Sequence, residues 1–253
     1  MPTQRDRELA RARSRRQAER RAAARKRRRT MTYVVSGVLV VAIVGVIIGV
    51  VATSGGGGGN STVACGAKAQ KAPAKQTYAK EPAMTIDTKA TYVMKIDTSC
   101  GEIDVTMNAA KTPHTVNSFA FLASKHYFDG IHFSRAVQKS QGFAVLQGGD
   151  QSSDGTGTPG YNIPDENLKG AKYTRGTVAM ANTGQANTGG SQFFLIDQTT
   201  DALTPTYTPF GTITKGLDVL DKLIAIGNDG SNQAGGGVPN KTIYINTLTV
   251  TKS

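Results

Sequence analysis

The sequence predicts a mainly β fold, a closed antiparallel barrel capped by two helices and preceded by a single transmembrane helix. Three observations carry this. Short β-branched runs recur between Gly-rich loops from residue 91 to the end, whereas only two stretches there show helical spacing. Many short strands with few helices solve their edge problem by closing on themselves. Far upstream, residues 33–52 form an uncharged apolar run of 20 residues.

That run matches the ~20 residues needed to cross a bilayer's hydrocarbon core. It exceeds the ~7–15 residues of a cleaved signal's apolar region. It therefore reads as an uncleaved anchor, and cleavage near "VVATSG" is the alternative. The chain's net charge of +12 is lopsided: residues 1–30 hold 13 Lys or Arg against three acids. Basic residues flank the span on its N-terminal side only. The positive-inside rule then gives a single-pass cell-membrane protein with a cytoplasmic N-terminus and an extracytoplasmic C-terminal domain. The tail suits anionic lipid headgroups. The alternative, a nucleic-acid arm, lacks aromatic residues for stacking, so no nucleic acid is expected. Gly45 and Gly49 form a GxxxG pair, which brings two helices together in some spans and has no such role in many.

The expected organisation is a basic tail (1–30), the anchor (31–53), a Gly-rich linker and tether (54–90), and a folded domain (91–253). The two cysteines, Cys65 and Cys100, fall on the extracytoplasmic side, where disulfides persist. One bridge between them would tie the linker to the start of the domain. Lipidation of Cys65 fits poorly, because a five-glycine stretch separates it from the apolar run.

Within the domain, "YVMKID" and "EIDVTM" flank the turn "TSCG" as a hairpin. "KTPHTVNSFAFLASKHY" reads as a helix with Thr112 at the N-cap and Pro113 in the first turn. Its buried stripe is Val116, Phe119, Ala120, Leu122 and Ala123. Strand-like segments follow at 131–137, 143–147, 176–181, 192–196 and 209–214. A second helix spans 217–226. The last strand turns Ile243 and Ile245 inward, with the out-of-phase Leu248 and Val250 as further inward-facing candidates.

Several motifs are set aside. "GTGTPG" (155–160) matches GxGxxG, but no strand leads into it and no helix opens from it; loop glycines are the reading. His114, His126 and His132 have no spaced second ligand, so no metal is expected. Asp165, Glu166 and Asn167 after Pro164 suit a turn or helix cap.

The informative constellation spans "FSR" (133–135), "GFAVLQGGD" (142–150), "GTVAMANTGQANTGGSQFF" (176–194) and "LTPTYTPFG" (203–211). Apolar residues alternate there with uncharged hydrogen-bonders, and Arg135 is the one fixed charge. Such a surface suits a neutral, partly apolar ligand carrying peptide groups. These segments, in this order, resemble the cyclophilin-type peptidyl-prolyl cis-trans isomerases. The resemblance rests on Phe133-Ser134-Arg135, Gln147-Gly148-Gly149-Asp150, Met180-Ala181-Asn182, Asn187-Thr188, Gly190-Ser191-Gln192-Phe193-Phe194 and Phe210-Gly211.

The resemblance implies a cyclophilin-like barrel and an isomerase that uses no cofactor and assists the folding of proline-containing polypeptides. By position, Arg135 matches the catalytic arginine and Gln147 the glutamine that supports it. Ala181, Asn182 and Gln192 match groove residues. Phe194 and Leu203 match walls of the proline pocket, and Tyr207 falls where many members carry His. The chain also departs from the pattern. Ser134 replaces the usual His. Four residues are added between Arg135 and Gln147, which puts Ala144 and Val145 at the usual Phe-Met pair and leaves Phe143 to supply the ring. Ala202 falls where some members have Trp. These departures keep open an alternative, a catalytically weak chaperone or envelope binding module built on the same fold.

Overall fold

The computed structural model describes residues 62–71, 74–232 and 235–253. The expected anchor and basic tail lie outside the described residues. Among those described, no helix is long and apolar enough to cross a membrane.

Strands β1 (Tyr92–Thr98) and β2 (Gly101–Met107) form the expected hairpin, with Thr98 opposite Gly101. Burial alternates along β1, so Tyr92, Met94 and Ile96 enter the core. The remaining strands are β3 (Ile131–His132), β4 (Arg135–Val137), β5 (Ala144–Gly148), β6 (Thr177–Met180), β7 (Phe193–Gln198), β8 (Pro209–Lys215) and β9 (Tyr244–Lys252). One antiparallel sheet holds them in the order β3-β9-β1-β2-β8-β6-β7-β5-β4.

The sheet is a curled half-barrel rather than the closed barrel expected. Its two edges, β3 and β4, are consecutive in the chain and do not pair. The single strand predicted over 131–137 breaks at the seam. Phe133 N donates to Ile243 O beside β9 (2.9 Å), while Ser134 N donates to Gln147 O on β5 (3.0 Å). The backbone thus crosses from one edge to the other in one residue, and a segment so short has no second strand to pair with.

Helix α1 (Pro113–Ser124) buries Val116, Phe119, Leu122 and Ala123 as predicted, but leaves Ala120 half-buried. Thr112 sits at its N-cap without capping; its hydroxyl donates to Asn108 O (2.7 Å). The first-turn amides go instead to a distant carboxylate. Glu166 accepts from His114 N (3.0 Å) and Thr115 N (2.9 Å). An anion at a helix N-terminus also meets the positive end of the macrodipole. The cap reading of the 165–167 cluster therefore holds for Glu166, on a helix fifty residues upstream. Helix α2 (Leu217–Ala225) buries Val219, Leu220, Leu223 and Ile224.

Along β9, Ile245 and Leu248 are both buried although they stand three apart. A bulge makes this compatible with period two: Thr98 pairs with Ile245, but Asp97 pairs with Thr247, leaving Asn246 as the extra residue.

Residues 62–71 and 74–90, expected as linker and tether, form one 3-10 turn at Ala64–Gly66 and otherwise no helix or strand, yet they lie against the domain. Ala64 is fully buried and its amide donates to Thr242 O (2.9 Å). Cys65 and Cys100 are joined by a disulfide. Further along, Asn117 of α1 accepts from Thr85 N (3.0 Å) and donates to Ala83 O (3.0 Å). This cover accounts for the burial of Asn117, a polar residue outside the apolar stripe, whereas buried Thr115 donates to Glu166 Oε2 (2.8 Å) and buried Ser118 pairs with Tyr161 Oη (2.8 Å). Because the bridge closes a chain loop with 35 residues of separation, Cys65→Ser should lower unfolding stability by about 2–4 kcal/mol. Thermal melts with and without reductant check this; coincident wild-type curves would contradict the bridge.

Candidate functional site

Alternation on the sheet sorts apolar residues into two clusters. On β7, Phe193 and Leu195 point into the main core under α1, whereas Phe194 and Ile196 point to the opposite face. Val137, Val145, Ala179, Ala181, Leu203 and Tyr207 join that second cluster. It floors a groove of about 670 Å³. All ten residues singled out from the sequence line this groove: Arg135, Phe143, Val145, Gln147, Ala181, Asn182, Gln192, Phe194, Leu203 and Tyr207.

Arg135 and Gln147 are direct partners across the β4–β5 ladder. Arg135 Nη1 approaches Gln147 Oε1 at 3.5 Å. The amide of Gln147 donates to Gln192 Oε1 (3.2 Å), and Gln192 Nε2 donates to Gly155 O (3.0 Å) and Gly157 O (2.9 Å). The guanidinium is thereby linked through two glutamines to the far wall. Asn182 is equally fixed: Nδ2 donates to Thr206 O (2.8 Å) and Oδ1 accepts from Gly184 N (3.0 Å). Tyr207 packs edge-on against Phe194 with ring centroids 5.4 Å apart. From beneath, Tyr173 Oη donates to Tyr207 O (2.8 Å) and accepts from Tyr207 N (3.1 Å).

The inserted stretch before β5 folds as a 3-10 turn, Lys139–Gln141, stopped by Gly142 in the left-handed region (φ 91°). Lys139 Nζ reaches Asp221 Oδ1 (2.7 Å) and Asp197 Oδ2 (3.0 Å), which pins the turn to α2 and β7. Phe143 and Val145 then share the groove face, while Ala144 points into the main core. Phe143 thus supplies a ring at the groove floor, and the added residues are absorbed in the turn.

Burial pushes the pKa of Arg135 down. An arginine's ordinary value is so high that the group remains a cation at neutral pH. Burial also raises the Tyr207 phenol, an effect the Arg135 charge opposes.

The groove has parts that sequence reasoning passed over. Two of the "GTGTPG" glycines, Gly155 and Gly157, line its wall. Asp150, fully buried, accepts from Ser152 N (2.8 Å), Asp154 N (3.1 Å) and Gly155 N (2.7 Å). A Cβ on Gly157 would collide with Asp150 Oδ1. On the other side, Gly235 O accepts from Arg135 Nε (3.1 Å) and Nη2 (2.8 Å). Its carbonyl is aimed by Gly237, which exchanges two backbone bonds with Ala136 (2.9 and 3.1 Å). Gly236 has φ 77°, and a Cβ there would collide with Ala136 O. No signal beyond the glycine run itself marks this contact in the sequence. Gly236→Ala should lower kcat of the activity proposed below by about fivefold with KM little changed, as expected for a group acting on the transition state alone. Unaltered steady-state constants would contradict this role of the loop.

Fold and groove together define a class: a curled antiparallel sheet with one cation set beside an apolar floor and fixed amides. Residues 93–250 match the family model described as cyclophilin type peptidyl-prolyl cis-trans isomerase/CLD, and the chain belongs to that family. It is 43% identical over 157 residues to the probable peptidyl-prolyl cis-trans isomerase B of Mycobacterium leprae, covering 55% of this chain and 52% of that protein. The chain thus spans about half the length of that relative. It is 38% identical over 132 residues to peptidyl-prolyl cis-trans isomerase B of Bacillus subtilis, covering 51% of this chain and 87% of that one. Among solved structures, a cyclophilin-type isomerase of Cryptosporidium parvum aligns over 64% of this chain and 99% of its own, with a TM-score of 0.57 and 26% identity.

Proposed function

We propose that the chain is a peptidyl-prolyl cis-trans isomerase for proline-containing polypeptides, held outside the cell membrane by residues 33–52, with its basic tail on anionic headgroups. The observation that carries the activity is the placement of Arg135. Its guanidinium is fixed by Gly235 O and Gln147 beside the apolar floor of Phe143, Phe194 and Leu203. Membership of the family supports the same reading. The Cys65–Cys100 bridge supports an oxidising, extracytoplasmic setting.

The chemistry requires no bond to be made or broken. Rotation about a peptide C–N bond costs ~18–20 kcal/mol because conjugation is lost. In the twisted state the prolyl nitrogen becomes pyramidal and its lone pair becomes an acceptor. Arg135 donates to that lone pair and so stabilises the twisted state over either planar one, which is the condition for acceleration. Phe143, Phe194 and Leu203 hold the proline ring. Gln147, Asn182 and Gln192 hold the flanking peptide groups, so that one end stays still while the other turns.

The alternative of a weakly catalytic binding module draws on Ser134, which replaces the family's His beside Arg135. A protease-free isomerisation assay on an Ala-Pro peptide separates the two. The isomerase reading expects catalytic amounts of the chain to accelerate exchange; binding without acceleration supports the module.

A further inference from the structure

We propose that residues 76–78, which lie upstream of the family-matched region 93–250, belong to the substrate-binding machinery as a buttress of the groove wall. The inference rests on the isomerase reading of the groove above. The wall in question is 154–158, all five residues of which line the cavity.

The wall is held on its inner side by the Asp150 carboxylate and by Gln192, as described. Its outer side is held by residues 76–78, which cross it as a strap. Gln76 N donates to Gln151 Oε1 (2.7 Å), and Tyr78 N donates to Pro159 O (2.8 Å). Gly160 has φ 92° and lies so close that a Cβ would meet Thr77 Cγ2 at 2.5 Å and Tyr78 O at 2.6 Å. The strap is itself anchored to α1 and its C-terminal turn. The Tyr78 ring stands edge-on to Phe121 with centroids 4.9 Å apart, and Gln76 Nε2 donates to Lys125 O (3.1 Å). Tyr78 Oη donates to Gln76 Oε1 (2.6 Å), which locks the two strap side chains together.

The outer clamp bears on the groove through two routes. Gln151 sits next to Asp150, whose carboxylate folds the wall. Pro159 packs beside Gly190, where an added Cβ would stand 3.0 Å from Pro159 Cδ. Loosening the clamp frees the wall to move the Gly155 and Gly157 carbonyls away from Gln192. Arg135 is held by the opposite loop, through Gly235. Its link to the wall, through Gln147 and Gln192, begins with an approach of 3.5 Å, longer than its two bonds to Gly235 O (3.1 and 2.8 Å). The wall therefore bears more on substrate binding than on the rotation step.

The test compares full-length wild type, Tyr78→Ala and Tyr78→Phe in the Ala-Pro isomerisation assay. Tyr78→Ala should raise KM about fivefold with kcat within about twofold, the pattern of lost uniform binding. Tyr78→Phe keeps the ring on Phe121 and should restore most of the affinity. Gln151→Ala, which removes the acceptor for Gln76 N and spares the Phe121 contact, should repeat the KM effect if Tyr78→Ala folds poorly. Met84→Ala, an exposed position downstream of residues 76–78, should leave both constants unchanged. Unchanged KM in Tyr78→Ala and Gln151→Ala overturns the buttress while leaving the isomerase reading intact. So does loss of activity in proportion to lost folded protein. A wild type that neither isomerises nor binds the peptide overturns both.

Discussion

Arg135→Ala should lower kcat/KM for an Ala-Pro peptide at least tenfold, about 1.4 kcal/mol or more of transition-state stabilisation. The loss should fall on kcat, because in the proposed mechanism the donor is used only once the prolyl nitrogen has pyramidalised. The fold should survive. Arg135 lies at the groove, outside both apolar clusters, and its strand partner Gln147 keeps its backbone pairing. Arg135→Lys keeps the charge but loses the planar fork that engages Gly235 O through two nitrogens. It should therefore remain well below wild type. Near wild-type turnover in Arg135→Ala would mean that the cation is structural.

The largest stability effect should come from Phe119→Ala. Phe119 is fully buried on α1 and touches three rings, with centroids 5.4 Å from Phe128, 5.6 Å from Phe193 and 4.9 Å from Phe210. These rings bring together the helix, the segment before β3, β7 and β8. Truncating such a ring leaves a cavity that rigid strands fill poorly, and about 3–5 kcal/mol is expected. For a domain of this size that corresponds to roughly 2–4 °C of melting temperature per kcal/mol. A loss below about 1 kcal/mol, measured by urea titration, would show that the core collapses around the gap.

The elements most legible in the sequence were those governed by local periodicity. The β1–β2 hairpin and both helices fall where alternation and helical spacing put them. The groove residues were legible for a different reason, namely that their motifs resemble a known family. Long-range geometry was hidden. The bulge at Asn246 obeys no local pattern, yet it lets both Ile245 and Leu248 face inward. Glu166 reads as a cap, but nothing near it says that it caps a helix fifty residues away. The open seam at Phe133 and Ser134 looks like one continuous strand until the pairing partners are known.

The strap and the groove wall teach the same lesson from composition. Residues 74–90 lack periodicity because they make no helix or strand, not because they stand apart from the domain. Their backbone bonds go to distant partners, the Asn117 and Gln151 side chains and the Pro159 carbonyl. The "GTGTPG" glycines invite a reading of slackness. In fact Gly157 is required by the approach of the Asp150 carboxylate. In both places the constraint is a contact between distant residues, which neighbour-to-neighbour patterning does not record.

The most direct test of the central claim is exchange spectroscopy on an uncleaved Ala-Pro peptide with catalytic amounts of the full chain, wild type beside Arg135→Ala. Fast cis–trans exchange is expected with wild type, and at least a tenfold slower rate with Arg135→Ala at equal peptide occupancy. Equal exchange rates from the two proteins would contradict it.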